Sequence, residues 1–307
     1  MMQQRQNQTK YILLIFLAVC FLATGGIFVK LSSLPPINTG FYRVLFSIPI
    51  LLPLSNKQLK KLTRRQVLTM FAAGVFLALD LTFWNISFHY TTVANANLLA
   101  NLTPFTVIPV SYFLFKEKIN KNFILGASIT LLGVCLLMSS KISINLSSLS
   151  IKGDLLSLIT SFFYAGFILT VYRLRDTVSS NVIMLVSSVG SLATLAIAIF
   201  ITEGFYFPKS MSDLCPLIGL ALISQILGQG LLSFCLGKVN ATISSIITLS
   251  QPVIAALYSF IIFHENLTTF ECFAILITLI GVYLAKSQSN AVWARLKLTK
   301  KRAKNNV

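Results

Sequence analysis

The chain has 307 residues, of which 55% are hydrophobic and 11% charged, with a mean hydropathy of +0.81. Soluble domains carry about 25% charged residues and cannot hide this much apolar surface in one core, so a soluble enzyme is excluded and an all-α polytopic membrane protein expected. The net charge of +17 lies in loops and tails, where Lys and Arg set membrane orientation, and no nucleic-acid partner follows from it.

The apolar residues fall in blocks of about twenty, enough for a helix to cross ~30 Å of hydrocarbon. After an N-terminal tail (1–10) the first block covers 11–29, with Gly25-Gly26 near its end and no small-residue cleavage site. Pro35-Pro36 turns the chain into a second block, 37–54, which contains Arg43. A loop with five Lys and Arg leads to the third, 67–88, with Asp80 and Trp84. The fourth, 91–113, contains Asn97, Asn101 and Pro104, and Glu117 stands in the loop before the fifth, 122–138. A polar linker, 141–153, separates these five from five more at 154–171, 182–201, 216–236, 240–263 and 270–285. The eighth holds Gln225 and Gln229, and the ninth holds Ser244, Thr248, Gln251 and Pro252. Glu265 follows, and a basic tail covers 288–307.

The stretch Asn101 to Ser139 matches Leu249 to Ser287 without a gap at an offset of 148: Pro104 falls on Pro252, Phe115 on Phe263, Glu117 on Glu265 and Gly133 on Gly281. A fixed offset over some forty residues marks an internal duplication. With the N-terminus inside, 20 of the 25 Lys and Arg fall in inner segments and 4 in outer loops, with Arg43 in a span. Both termini are therefore expected in the cytoplasm, and the linker outside. An odd number of spans per half inverts the second half relative to the first. The fold class expected is ten transmembrane helices in two inverted five-helix repeats, 11–140 and 154–287. That architecture places a site near the membrane midplane, between two gates of similar construction.

The runs "DLTFWNISFHYTTVANANLLANLTPF" with "FKEKI", and "SQILGQGLLSFCLGKVNATISSIITLSQPVIAALYSFIIFHENL", resemble the two halves of EamA-domain proteins of the drug/metabolite transporter superfamily. The likeness covers about 12–285. It implies a carrier whose cavity is lined mainly by the third, fourth, eighth and ninth spans. Family members move amino acids, nucleosides and other metabolites, and the resemblance fixes no substrate.

Asp80 carries the strongest residue-level signal, because a carboxylate at such depth costs about 2.5–3.5 kcal/mol on insertion scales and is a functional hypothesis by default. Three states stay open for it: an ion pair with Arg43, a site for a substrate cation beside Trp84, or a proton carrier. Asn97 and Asn101 share a helix face, as do Gln225 and Gln229, while Ser244, Thr248 and Gln251 make a third polar stripe. Amides are bulky for mere helix packing, so the three stripes are expected to line one pocket. Pro104 and Pro252 each remove a backbone donor and free the carbonyl four residues earlier, Ala100 and Thr248, as matched kinks or gates. Glu117 and Glu265 read as solvated rim residues with a structural role. Gly126 and Gly133, with Ala274 and Gly281, form small-residue faces suited to close helix contact.

Five scattered cysteines without a CxxC give neither a disulfide framework nor a metal site, and no enzymatic motif or nucleotide loop occurs. No cofactor or catalytic residue is expected. The expected function is a secondary carrier in a bacterial inner membrane that exports amino acids or related small metabolites. It would be driven by protons or membrane potential and would act as a monomer or homodimer. The alternatives are uptake of a host or environmental metabolite such as a nucleoside or S-adenosylmethionine, and a non-transporting membrane scaffold.

Overall fold

The computed structural model describes residues 2–59, 62–87, 89–91, 93–117, 119–139, 148–263 and 268–285, except the side chains at 2–8, 30, 56–58, 93–95, 97, 138, 148–149, 259 and 263. The Asn97 side chain, Glu265, linker residues 141–147 and the tail 288–307 lie outside the described residues.

The first span is α1 (Met2–Leu31); it is already helical at Met2, so the segment read as a tail continues the helix. The second is broken into α2 (Pro36–Leu45) and α3 (Ile48–Leu59). Pro49 has no N–H and its ring crowds the Leu45 carbonyl, so the chain turns through Phe46 and Ser47 before helix resumes. The third is α4 (Arg64–Ser87). Thr63 and Gln66 cap its start reciprocally, with the Thr63 N–H donating to Gln66 Oε1 at 2.9 Å and the Gln66 N–H to Thr63 Oγ1 at 3.3 Å.

The fourth span is α5 (Val93–Ala100) and α6 (Pro104–Phe115); α7 (Lys121–Ser139) closes the first repeat. The second repeat has α8 (Ser148–Leu174) and α9 (Ser180–Thr202), then an eighth span in three parts. These are α10 (Met211–Gly219), a π-helical stretch over Leu220–Gln229, and α11 (Gly230–Leu236). Ser210 and Asp213 form a capping box at the start of α10. The ninth span divides into α12 (Ala241–Thr248) and α13 (Gln251–Phe263), and α14 (Thr269–Ala285) completes the set. Among the described residues, eight helical runs are long and apolar enough to cross a membrane, and α7 and α14 supply two shorter apolar helices in the fifth and tenth places. The protein is thus an all-α polytopic membrane protein of ten transmembrane helices in two inverted five-helix repeats.

The duplication is visible in the packing of α7 on α14. Gly133 lies against Thr278, and Gly281 against Thr130. At the offset of 148 these are the same contact made twice, which is what a two-fold axis produces. A Cβ on either glycine would fall onto the facing threonine backbone, so the small residues let the helices touch. A second close contact joins α4 to α9. Gly74 abuts the Ser187 carbonyl and Gly190 the Phe71 carbonyl, and Ser191 Oγ donates to the Gly74 carbonyl at 2.8 Å. Outward-facing side chains such as Phe113, Phe200 and Tyr283 are large, apolar and exposed, as a surface immersed in hydrocarbon requires.

Replacing Gly74 by Leu is expected to be strongly destabilising, since overpacking costs about 1–3 kcal/mol even where side chains can yield and here the obstacle is backbone. Gly26→Ala, with nothing within 4 Å of the added methyl, should be neutral. Melting temperatures of the two variants in detergent test this; equal values would refute the α4–α9 contact.

Candidate functional site

The α-helices leave a polar hollow between the repeats, and sequence order explains how its walls are made. Asp80 and Trp84 lie four residues apart on α4 and so on one face; Asp80 stands seven residues before the helix end, roughly 10 Å deep. Arg43 is on α2, just before the break at Phe46–Ser47. On the other repeat, the π-helical stretch carries Gln225 and Gln229, both essentially fully buried. π-helical insertions inside α-helices are frequent at functional positions because the extra residue re-aims the side chains around it.

These side chains meet around a cavity of about 110 Å³ lined by Arg43, Asp80, Trp84, Asn101, Gln229, Thr248 and Gln251 among others. Seven of the residues expected at the site from the sequence thus share one wall. Gln225 stands just behind it, its Oε1 accepting a hydrogen bond from Arg43 Nε at 2.9 Å. The freed-carbonyl residues Ala100 and Thr248 both line the same space.

Sequence reasoning missed part of the wall. Tyr164 and Thr160 of α8 line the cavity; the Tyr164 hydroxyl donates to Gln229 Oε1 at 3.5 Å and Thr160 Oγ1 to the Asp80 backbone carbonyl at 3.4 Å. A lone tyrosine hydroxyl deep in the sixth span is the signal that was available. Gly25 and Gly26 line it too, and Gly25 makes room for Arg43 and Ser224: a Cβ there would lie 3.0 Å from Ser224 Oγ and 3.9 Å from Arg43 Nη1.

Arg43 and Asp80 border the same cavity, and their charges act on one another, yet no carboxylate oxygen lies within 4.0 Å of the Arg43 guanidinium among the described residues. Space separates the two charges.

Pro104 and Pro252 mark true breaks. Helix α5 stops at Ala100 and the chain turns through 101–103 before Pro104 opens α6, the position where a missing N–H costs nothing. Leu249 and Ser250 form the equivalent turn ahead of Pro252, with i→i+3 bonds of 3.1 and 3.0 Å. Thr103 Oγ1 donates to the Ala100 carbonyl at 3.1 Å, occupying the acceptor that Pro104 leaves free. Broken helices at cavity depth are tolerated where backbone lines protein or water.

Glu117 departs from its expected setting. It is not a solvated rim residue but 6% exposed, because the loop after α6 packs under the N-terminus of α12. Its carboxylate accepts from the Thr242 hydroxyl, with the Ala241 and Thr242 backbone N–H groups and the Tyr172 hydroxyl beside it. The Asn240 side chain makes no cap, so Glu117 serves the other repeat's helix as a cap supplied from a distance, favoured by the helix dipole. Burial pushes this carboxyl above the ordinary glutamate range, and the hydrogen bonds from Thr242 and Tyr172 draw it partly back.

A charged mid-depth cavity between inverted five-helix repeats with broken spans is the architecture of a membrane transporter. The chain belongs to the EamA-like transporter family, whose model matches residues 9–139 and 151–286, within the drug/metabolite transporter superfamily. It is 25% identical over 290 residues to an uncharacterized transporter of Archaeoglobus fulgidus, covering 91% of this chain and 98% of that one. It is 22% identical over 198 residues to a protein of Salmonella typhimurium described as a probable amino-acid metabolite efflux pump, covering 62% of this chain and 66% of that one. A solved crystal structure overlays it with a TM-score of 0.77, over 92% of this chain and 98% of that chain at 15% identity; this likeness concerns the fold alone.

The raised Glu117 carboxyl fixes the sign of a pH effect. A group whose folded pKa exceeds its unfolded value contributes stability that is present at low pH and lost as pH rises through the folded pKa. Thermal stability of the purified protein should therefore rise as pH falls from 8 toward 5, and Glu117→Gln should flatten that dependence. A variant with the parent's full pH profile would show that Glu117 is not its source.

Proposed function

We propose that this transporter is a secondary carrier that exports small polar metabolites, amino acids or related compounds, across a bacterial inner membrane by alternating access of its two repeats. The single observation behind this reading is the small charged cavity at mid-depth, bounded by both repeats. A volume of about 110 Å³ is on the scale at which a cavity of about 150 Å³ admits benzene, so a compact solute suits it better than a nucleoside or S-adenosylmethionine. The efflux direction draws on the printed description of the Salmonella relative. A scaffold would have no use for two charges and several amides around one space.

In this reading both termini are cytoplasmic. The cytoplasmic halves of the fourth and ninth spans are then α6 and α12, which pack on one another and are fastened by Glu117 and Thr242. Their pseudo-symmetric counterparts, α5 and α13, make no comparable contact among the described residues. The structure is accordingly read as closed toward the cytoplasm, and the breaks before Pro104 and Pro252 as the points that flex when the pairing is exchanged.

Purified protein in liposomes, tested against labelled metabolites, should give saturable flux of small polar solutes. Asp80→Asn should remain folded and lose concentrative transport. If instead Asp80 only balances Arg43, the double variant Arg43→Gln with Asp80→Asn will regain transport, and the assignment of Asp80 to the site falls. For orientation, on a cysteine-free background, Ser147→Cys should react with an impermeant maleimide in whole cells and Asn56→Cys should not; the opposite labelling overturns the topology.

A further inference from the structure

The hydrogen-bond inventory of the cavity wall is lopsided in a way that specifies cargo. Arg43 spends only Nε on the protein, on Gln225 Oε1 at 2.9 Å; Nη1 and Nη2 donate to none of the described residues. Because an Arg Nε can only donate, the Gln225 amide must turn its oxygen toward Arg43. Gln229 Oε1 accepts from the Tyr164 hydroxyl at 3.5 Å. In this arrangement Gln229 Nε2 is buried without an acceptor, and Ser224 Oγ, which faces Gly25 near Arg43, is likewise unpartnered. One pole of the cavity therefore holds spare donors from Arg43 and Ser224, and Gln229 adds another to the wall. At the other pole is the Asp80 carboxylate, which only accepts when ionised and receives no hydrogen bond from any described residue; Trp84 stands one turn along the same helix.

The geometry points to a two-pole site that selects zwitterions. A ligand carboxylate docks on the Arg43 fork with Gln229 and Ser224, and a ligand ammonium docks on Asp80 beside Trp84. This rests on the transporter reading and adds the charge form of the cargo. The cavity wall carries one basic and one acidic side chain, Arg43 and Asp80, held apart. A zwitterion pairs both and leaves the site neutral. A simple amine satisfies Asp80 but leaves Arg43 as an uncompensated buried charge, and a simple acid does the reverse; each such remainder is costly in a low-dielectric space. Selectivity then comes from what the wrong ligand leaves unpaired as much as from what the right one touches. The Nε anchor on Gln225 and the space conceded by Gly25 hold the guanidinium so that its two terminal nitrogens can meet a carboxylate in parallel, a geometry Lys does not reproduce.

The test uses purified full-length protein and three matched probe sets at pH 7: the twenty α-amino acids, their decarboxylated amines and their deaminated carboxylic acids. Binding is read by ligand-induced thermal stabilisation and confirmed by calorimetry. At least one amino acid should bind saturably, with its amine and acid analogues weaker by about tenfold or more, the range expected for losing hydrogen bonds to charged groups. Arg43→Gln should weaken the amino acid by about tenfold or more and leave the amine analogue bound at least as tightly, since its uncompensated partner charge is gone. Should that variant fail to fold, Arg43→Lys keeps the charge without the fork and should give a smaller loss confined to the same ligands. The inference is overturned if a singly charged probe binds as well as its amino acid, if the Arg43 variants weaken amine and amino acid alike, or if no amino acid binds. In those cases, saturable liposome flux of some other solute would leave the transporter reading standing, whereas absence of flux for every solute would remove that reading as well.

Discussion

Hydrocarbon offers no hydrogen bonds, and every feature of this protein answers to that constraint. Each backbone N–H and C=O within the bilayer must find a partner inside the chain, so the described residues form helices. Where a helix is interrupted, the loose groups are retained within the protein. The turn before Pro104 hands the Ala100 carbonyl to Thr103, and the turn before Pro252 tightens into i→i+3 bonds. Both interruptions border the cavity, where lost helical bonds and polar side chains share one space. The same constraint makes Arg43, Asp80, Gln225 and Gln229 informative: none has an inexpensive place among lipid tails.

Much of this was legible in the sequence because membrane helices obey simple rules of length and spacing. Span count, duplication and inversion follow from hydropathy, the offset of 148 and an odd number of spans per half. Asp80, Trp84, Asn101, Gln229, Thr248 and Gln251 could be picked out as polar residues in apolar blocks, and one cavity collects them. What could not be read depends on contacts between distant parts of the chain. Glu117 looked like a rim residue because its neighbours in sequence are lysines; its burial comes from α12, more than a hundred residues on. Tyr164 attracts little notice among the aromatics of the sixth span until Gln229 is placed opposite it. The break at Phe46–Ser47 has its cause in Pro49, but hydropathy alone reads 37–54 as one continuous span.

The duplication shapes the scaffold more strictly than the chemistry. Extending the offset of 148 into the cavity spans, Asp80 corresponds to Gly228 and Arg43 to Ser191, while Gln225 and Gln229 correspond to Leu77 and Leu81. The first repeat contributes both charges and Asn101, and the second contributes the glutamines Gln225, Gln229 and Gln251. The peripheral helices have kept the reciprocal contact, Gly133 with Thr278 and Gly281 with Thr130, because packing depends on both copies equally. The cavity walls have diverged, which suits the two-pole site proposed above, since that site has no two-fold symmetry to match.

The contact between α4 and α9 has a mechanical consequence. With Gly74 seated on one backbone, Gly190 on the other, and Ser191 bonded across to the Gly74 carbonyl, no compliant side chains cushion this seam. Helices that touch through bare backbone cannot slide by fractions of a turn without collision, so α4 and α9 behave as a single stiff plate. Asp80 rides on that plate. Its distance from other groups on α9 is invariant, and any change in its surroundings has to be made by the partners that approach it. The carboxylate is thus a fixed reference mark inside the membrane, against which the broken spans are set.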